Sequence, residues 1–364
     1  MDDSINILVF TLIVGARLIV PLWIPRFPLP AVIAALLLDG IDGGVLSTFT
    51  TLPMDNYQSY DKALDIYYLT IAYLAAVRNW TNLDAVRIAA FLFYYRLVGV
   101  VLFEYFENRA LLRIFANTFE YFFILYEVAR LRWNMARVSF GTLVGAAAAI
   151  WIVIKLPQEY WIHIAQRDFS DTLVENPILI PILAVAIAAI LGGGYWVVTR
   201  KLPPADHAPS FAVGNDIPMS HMQEAMLRYR SLTWRDQGLW EKLVLLALIS
   251  SIFSMILPGT VLTTGQLIIG IAAIVILNTV VSELLTKKGM LSVQDIRHFL
   301  TMVGINMVLA AIFLALLPDP APDDSLRMGN MLFFFFLVSL LVTLFDRFRA
   351  VANMRNGGEV NGIR

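Results

Sequence analysis

The chain has no cysteine among its 364 residues. That excludes disulfide cross-links, thiol nucleophiles and cysteine-ligated metal centres. Charge is scarce as well: Asp, Glu, Lys and Arg make up 15% of the residues and balance to a formal net charge of −1. No basic stripe of the kind that tracks a nucleic-acid backbone is present, so nucleic-acid partners are not expected. There are only four histidines. His163 sits beside Trp161, where an interfacial role is expected, while His207, His221 and His298 fall in polar segments with no ligand spacing. The first residues, MDDSIN, lack the basic leader of a secretory signal, and no small-residue cleavage site follows the first apolar run. That run therefore reads as a retained helix.

What the chain has in abundance is hydrocarbon. Hydrophobic residues reach 59%, with 23 Phe and 8 Trp, and the mean hydropathy is +0.70. A soluble globular protein is far less apolar. The reading is an all-α, polytopic transmembrane bundle of about eleven spans. The expected spans begin near Ile5, Pro30, Tyr60, Ile88, Ile114, Val138, Ile178, Leu243, Val261, Phe299 and Met331. They divide into an N-terminal bundle of about seven helices (1–199), a connection (200–241), a C-terminal bundle of about four (242–346) and a basic tail (347–364). In the connection, Ser220 and Gln223 form a capping box, and Met219, Met222, Met226 and Tyr229 recur at helical spacing. That pattern predicts an amphipathic helix on the membrane surface. Arg and Lys gather at 130–137, 200–235, 287–297 and 347–355. With eleven spans these fall on one side, which the positive-inside rule makes cytoplasmic and which leaves the N-terminus outside.

Within this apolar chain, Asp39, Asp42, Asp61 and Asp65 demand explanation. A carboxylate near the bilayer centre costs roughly 2.5 kcal/mol or more, so such residues face a protein interior and serve a function. A helix from Pro30 that ended at Gly40 would be only about 16 Å long, half the hydrocarbon thickness, so it must continue through the aspartates. Asp39 and Asp42 then share a face by i, i+3 spacing, and Asp61 and Asp65 share one by i, i+4 spacing on the next span. Two antiparallel neighbours thereby present four carboxylates to one place.

Oxygen ligands without sulfur or histidine suit a hard divalent cation such as Mg²⁺ or Mn²⁺, and no organic cofactor is indicated. Asp39-x-x-Asp42-Gly43, followed on the next helix by Asp61-x-x-x-Asp65, resembles the motif of the CDP-alcohol phosphatidyltransferase family. The resemblance implies Asp39, Asp42 and Asp61 as metal ligands and Asp65 as the catalytic base that deprotonates an alcohol. The chain departs from the family at Leu46 and Ser47, which stand in place of Ala-Arg, and at Tyr57, which stands in place of Gly.

A second polar set, Arg96, Asn117 and Glu120, is expected near the level of Asp65, as substrate contacts or support for the site. The alternative for it is an ion pair of Arg96 with Glu120 or Glu127. For the aspartates the alternative is pairing of Asp39 and Asp42 with Arg17, Arg96 or Lys62, with Asp61 favoured at a helix N-terminus. Arg17 itself is expected to snorkel toward the nearer surface. The functional expectation is a cation-dependent transferase acting on a lipid-linked or phosphorylated substrate, with membrane lipids as partners. A cation-coupled transporter and a structural subunit bound to other membrane subunits are the alternatives.

Overall fold

The computed structural model describes residues 3–51, 54–160, 176–200, 203–213, 237–257, 296–315 and 324–361. Among them every regular element is helical. Helix α1 (Asp3–Ile19) ends in a 3₁₀ turn, Val20–Trp23, and α2 (Pro28–Phe49) returns antiparallel to it. Pro28 opens α2, where its missing N–H costs nothing. The chain continues through α3 (Met54–Asn79), α4 (Leu83–Phe106), α5 (Arg109–Ile114) and α6 (Thr118–Arg130). Next come α7 (Phe140–Ala149), a π-helical stretch (Ile150–Lys155) and α8 (Leu156–Glu159). Beyond these lie α9 (Leu179–Arg200), α10 (Gln237–Ile256), α11 (Ile296–Ala315) and α12 (Asp324–Asn361).

Five stretches among the described residues are long and apolar enough to cross a membrane: Ile5–Trp23, Pro28–Phe49, Leu83–Phe106, Phe140–Glu159 and Gly329–Arg349. Their unburied faces carry residues such as Leu8, Leu12, Leu37 and Phe91. Side chains of this kind belong against lipid tails. Of the sequence expectations, the span from Val261, the Met219–Tyr229 helix with His221, and the His163 connection lie outside the described residues.

At the centre is α3, flanked by α1, α2, α4, α6, α10 and α12. Ala63, Tyr67, Ile71, Ala75 and Ala76 are almost wholly covered. The alanines among them, with buried Ala72, let neighbours approach α3 closely. Aromatic rings fill the wider gaps: Trp80 stacks on Tyr126 at 3.8 Å, and Tyr73 on Phe93 at 4.5 Å between centroids. At one end, Arg78 and Asn79 donate to the Pro25 carbonyl, and the Val213 amide to that of Arg26. Also at this end, the Arg349–Glu241 and Lys242–Asp346 ion pairs fasten α10 to α12.

Against about eleven expected spans, five stretches among the described residues are long and apolar enough, and two of the expected helices carry local irregularities. The helix expected from about Ile114 begins only at Thr118: a short α5 ends at Ile114, a non-helical break follows, and α6 is 13 residues long. Gly99 of α4 makes room for the break, since a Cβ added there would lie 2.0 Å from the Phe115 Cβ. The following helix continues past the expected end at Ile154 by way of the π-helical stretch. Phe115 and Ala116 at the break are as apolar as the helix residues around them, so hydropathy does not register it, whereas polar Lys155, Gln158 and Glu159 make the later helix look closed before it ends.

Candidate functional site

The site starts with a proline turn that sets α1 and α2 side by side. Their far ends are tied by Asn6, whose Nδ2 donates to the Thr51 hydroxyl at 2.9 Å while its Oδ1 accepts the Thr51 amide at 3.1 Å. This register places Arg17, one turn before the 3₁₀ segment, opposite the aspartate half of α2. A helical Cα–Cβ bond leans toward the helix N-terminus, so the Arg17 side chain runs away from the proline turn and toward Asp39 and Asp42. The expectation that it snorkels to a surface is corrected: the Arg17 side chain is only 5% exposed.

All four aspartates converge on that guanidinium. Arg17 Nη2 donates to Asp39 Oδ1 and to Asp65 Oδ1, each at 2.5 Å. Nη1 donates to Asp42 and Asp61. The environments of the four differ. The Asp42 side chain is 6% exposed, against 37% for Asp39, 36% for Asp61 and 42% for Asp65. Buried Tyr57 also donates to Asp42. Asp42 is thus walled in by Arg17 and Tyr57, whereas the other three open onto a common space. One carboxylate oxygen from each of Asp39, Asp61 and Asp65 lies within 4.8 Å of the others. Lys62 takes no part, being paired with Glu104 at 3.1 Å.

The charges do not balance. Four carboxylates against one guanidinium leave three negative charges over, within reach of a single side chain. At membrane depth such an excess demands further cations or protons. Three convergent hard-oxygen donors fit a divalent cation. Arg17, planted among them, is the cation the protein supplies itself.

The second polar set lies beside the first. Arg96 donates to the Phe115 carbonyl at 3.1 Å, satisfying backbone that the helix break leaves free. Asn117, at the N-cap position of α6, donates through Nδ2 to Glu120 Oε2 at 2.6 Å. Glu120 is within electrostatic reach of Asp39 and Lys155, and Arg96 of Asp65 and Glu159. The second set thus lies within electrostatic reach of the aspartates. The alternative pairing of Arg96 with Glu127 does not form. Glu127, fully buried, instead accepts from Trp80 Nε1 and from Arg130 Nε, each at 2.7 Å.

Sequence reasoning passed over Lys155, Tyr68 and Glu159. Lys155 is 5% exposed and rests its ammonium 4.1 Å from the centre of the Tyr121 ring. It closes a fifteen-residue apolar run, where a lysine reads as a helix flank. Only the π-helical stretch turns it inward. Tyr68 looks like one more core aromatic, and its spacing of seven from Asp61 was the available signal, since that places both on one face of α3. No protein-family model, curated protein or solved structure matches the chain.

Proposed function

We propose that this is a divalent-cation-dependent membrane transferase acting on a lipid-linked or phosphorylated substrate, with Asp39, Asp61 and Asp65 at its centre. The supporting observation is the convergence of those three half-open carboxylates with an uncompensated negative charge. Asp42, walled in with Tyr57, is the anchor that orients Arg17. The sequence motif gives Asp42 a ligand's role; its burial favours this anchoring role instead. Asp39 and Asp61 would hold Mg²⁺ or Mn²⁺. A bound cation supplies charge neutralisation to a phosphate placed beside it. Asp65 takes the proton of an acceptor hydroxyl as that oxygen attacks phosphorus and the bond to the leaving phosphate breaks. Arg96, Asn117 and Glu120, within electrostatic reach of the aspartates, would contact the polar part of the substrate. The likeness of Asp39-x-x-Asp42-Gly43 and Asp61-x-x-x-Asp65 to the CDP-alcohol phosphatidyltransferase motif agrees with this chemistry, while Leu46, Ser47 and Tyr57 argue against the same nucleotide contacts.

The placement in the bilayer belongs to the proposal: about eleven passages, the end bearing Pro25, Arg78, Arg130 and Arg349 in the cytoplasm, and the N-terminus outside. The break between α5 and α6 favours one second reading, cation-coupled transport, because interrupted helices at mid-membrane are a device of transporters. Manganese binding separates the two from a purely structural cluster. Saturable Mn²⁺ binding to the purified protein, lost in Asp65→Asn and in Asp39→Asn, is expected. Absence of Mn²⁺ binding in the wild type would remove the transferase reading. Cation-driven solute uptake by the protein in sealed liposomes would favour the second.

A further inference from the structure

Two nitrogens of one side chain hold the whole aspartate cluster. Arg17 Nη1 donates to Asp42 of α2 and to Asp61 of α3, while Nη2 donates to Asp39 of α2 and to Asp65 of α3. Each nitrogen therefore ties α2 to α3 across the site, and all the Nη hydrogens are engaged. A divalent cation bound by Asp39, Asp61 and Asp65 would tie the same two helices through the same carboxylates. Nη2 lies 2.5 Å from an oxygen of Asp39 and from one of Asp65, and the three carboxylates offer oxygens within 4.8 Å of one another. Hard-cation bonds of about 2.0–2.6 Å place an ion among these oxygens, where the guanidinium lies.

Asp42 is set apart from the other three. It shares the α1–α2 hairpin with Arg17, its side chain is 6% exposed, and it accepts from Tyr57 as well. Withdrawn onto Asp42, Arg17 forms a neutral pair in that buried corner. Asp39, Asp61 and Asp65 are then left to a divalent ion, with one negative charge in excess where the guanidinium alone leaves three.

We infer that Arg17 determines which cations the site admits: it is a tethered cation that holds Asp39, Asp61 and Asp65 and yields them, by withdrawing onto Asp42, only to an ion of higher charge. This selection rests on the cation site proposed above. A group fixed to the chain competes at a high effective concentration. Na⁺ or K⁺ offers the same single charge without the tether or the four directed hydrogen bonds, and so gains nothing by exchange. A divalent ion brings twice the charge to the same oxygens.

The test is a Mn²⁺ titration of the full chain in phosphatidylcholine nanodiscs, read by the paramagnetic resonance signal of the free ion, in NaCl or in choline chloride at equal ionic strength. In the wild type the two salts should give the same Mn²⁺ affinity. Arg17→Met should bind Mn²⁺ at least about tenfold more tightly in choline chloride, the competing like charge being gone. It should lose much of that gain in NaCl, because Na⁺ then enters. Arg17→Lys keeps the charge but has three donors for four carboxylates. It should fall between the two, and it carries the test if Arg17→Met does not fold. Equal Mn²⁺ affinity in all three proteins would overturn this role of Arg17 and leave the transferase reading in place. Competition by Na⁺ as strong in the wild type as in Arg17→Met would do the same. Mn²⁺ binding by the variants alone would remove the transferase reading and keep Arg17 as the group that excludes cations, whereas binding by none would remove both.

Discussion

Arg17 is the residue whose removal has the clearest consequence. It answers part of the charge of four carboxylates, and stripping one partner from a buried ion cluster typically costs about 3–5 kcal/mol. Arg17→Met should lower the thermal midpoint in the presence of EDTA, with Mn²⁺ returning a large part of the loss. A thermal-unfolding series with and without metal reads both. Equal midpoints under the two conditions would mean that the carboxylates do not accept a metal in place of the guanidinium. Asp42 and Asp65 should then behave differently although they contact the same side chain. Asp42→Asn weakens the buried anchor shared with Tyr57 and should destabilise the fold, whereas Asp65→Asn, at a half-open position, should spare the fold and abolish Mn²⁺ binding. Comparison of the two midpoints alongside a metal titration checks the assignment.

Among the elements, the interrupted passage α5–α6 sets the site. Its break brings the Phe115 carbonyl to Arg96 and starts α6 at the polar interior, which a continuous helix would not do. Gly99 permits that approach. Gly99→Val should therefore displace Phe115 and destabilise the protein by about 1–3 kcal/mol, the usual range for overpacking. Unchanged stability in chemical unfolding would show that the break can shift freely. At the other end of α6, Glu127 ties Trp80 of the α3–α4 connection to Arg130. Glu127→Ala leaves the indole N–H unanswered, and a loss of about 1–3 kcal/mol is expected from that buried donor. The sequence showed the aspartates on shared faces, because i, i+3 and i, i+4 spacing holds wherever a helix forms. It did not show the break, because Phe115 and Ala116 are as apolar as the helix residues around them.

For the molecule as a whole, the testable property is which end faces the cytoplasm. The missing cysteines make this direct, since any introduced thiol is the sole one. Arg109→Cys lies at the end where α4 meets α5, and Ala208→Cys lies in the segment that packs on the α6–α7 connection through Asp206 and Asn134. Both positions are exposed. A membrane-impermeant maleimide added to intact cells should label Arg109→Cys and leave Ala208→Cys unmodified until the membrane is opened. The reverse pattern would invert the placement.

Composition and spacing alone determined that this is a helical membrane protein and that four aspartates can meet, because hydropathy and the helical repeat are local properties of a chain. Only the tertiary structure decided what the aspartates meet. The tilt of the Arg17 side chain, the room left at Gly99 and the inward turn of Lys155 depend on how distant helices pack, and no local pattern records them. Packing thus made Arg17 the centre of the cluster and Lys155, which reads as a flank in the sequence, part of the polar interior.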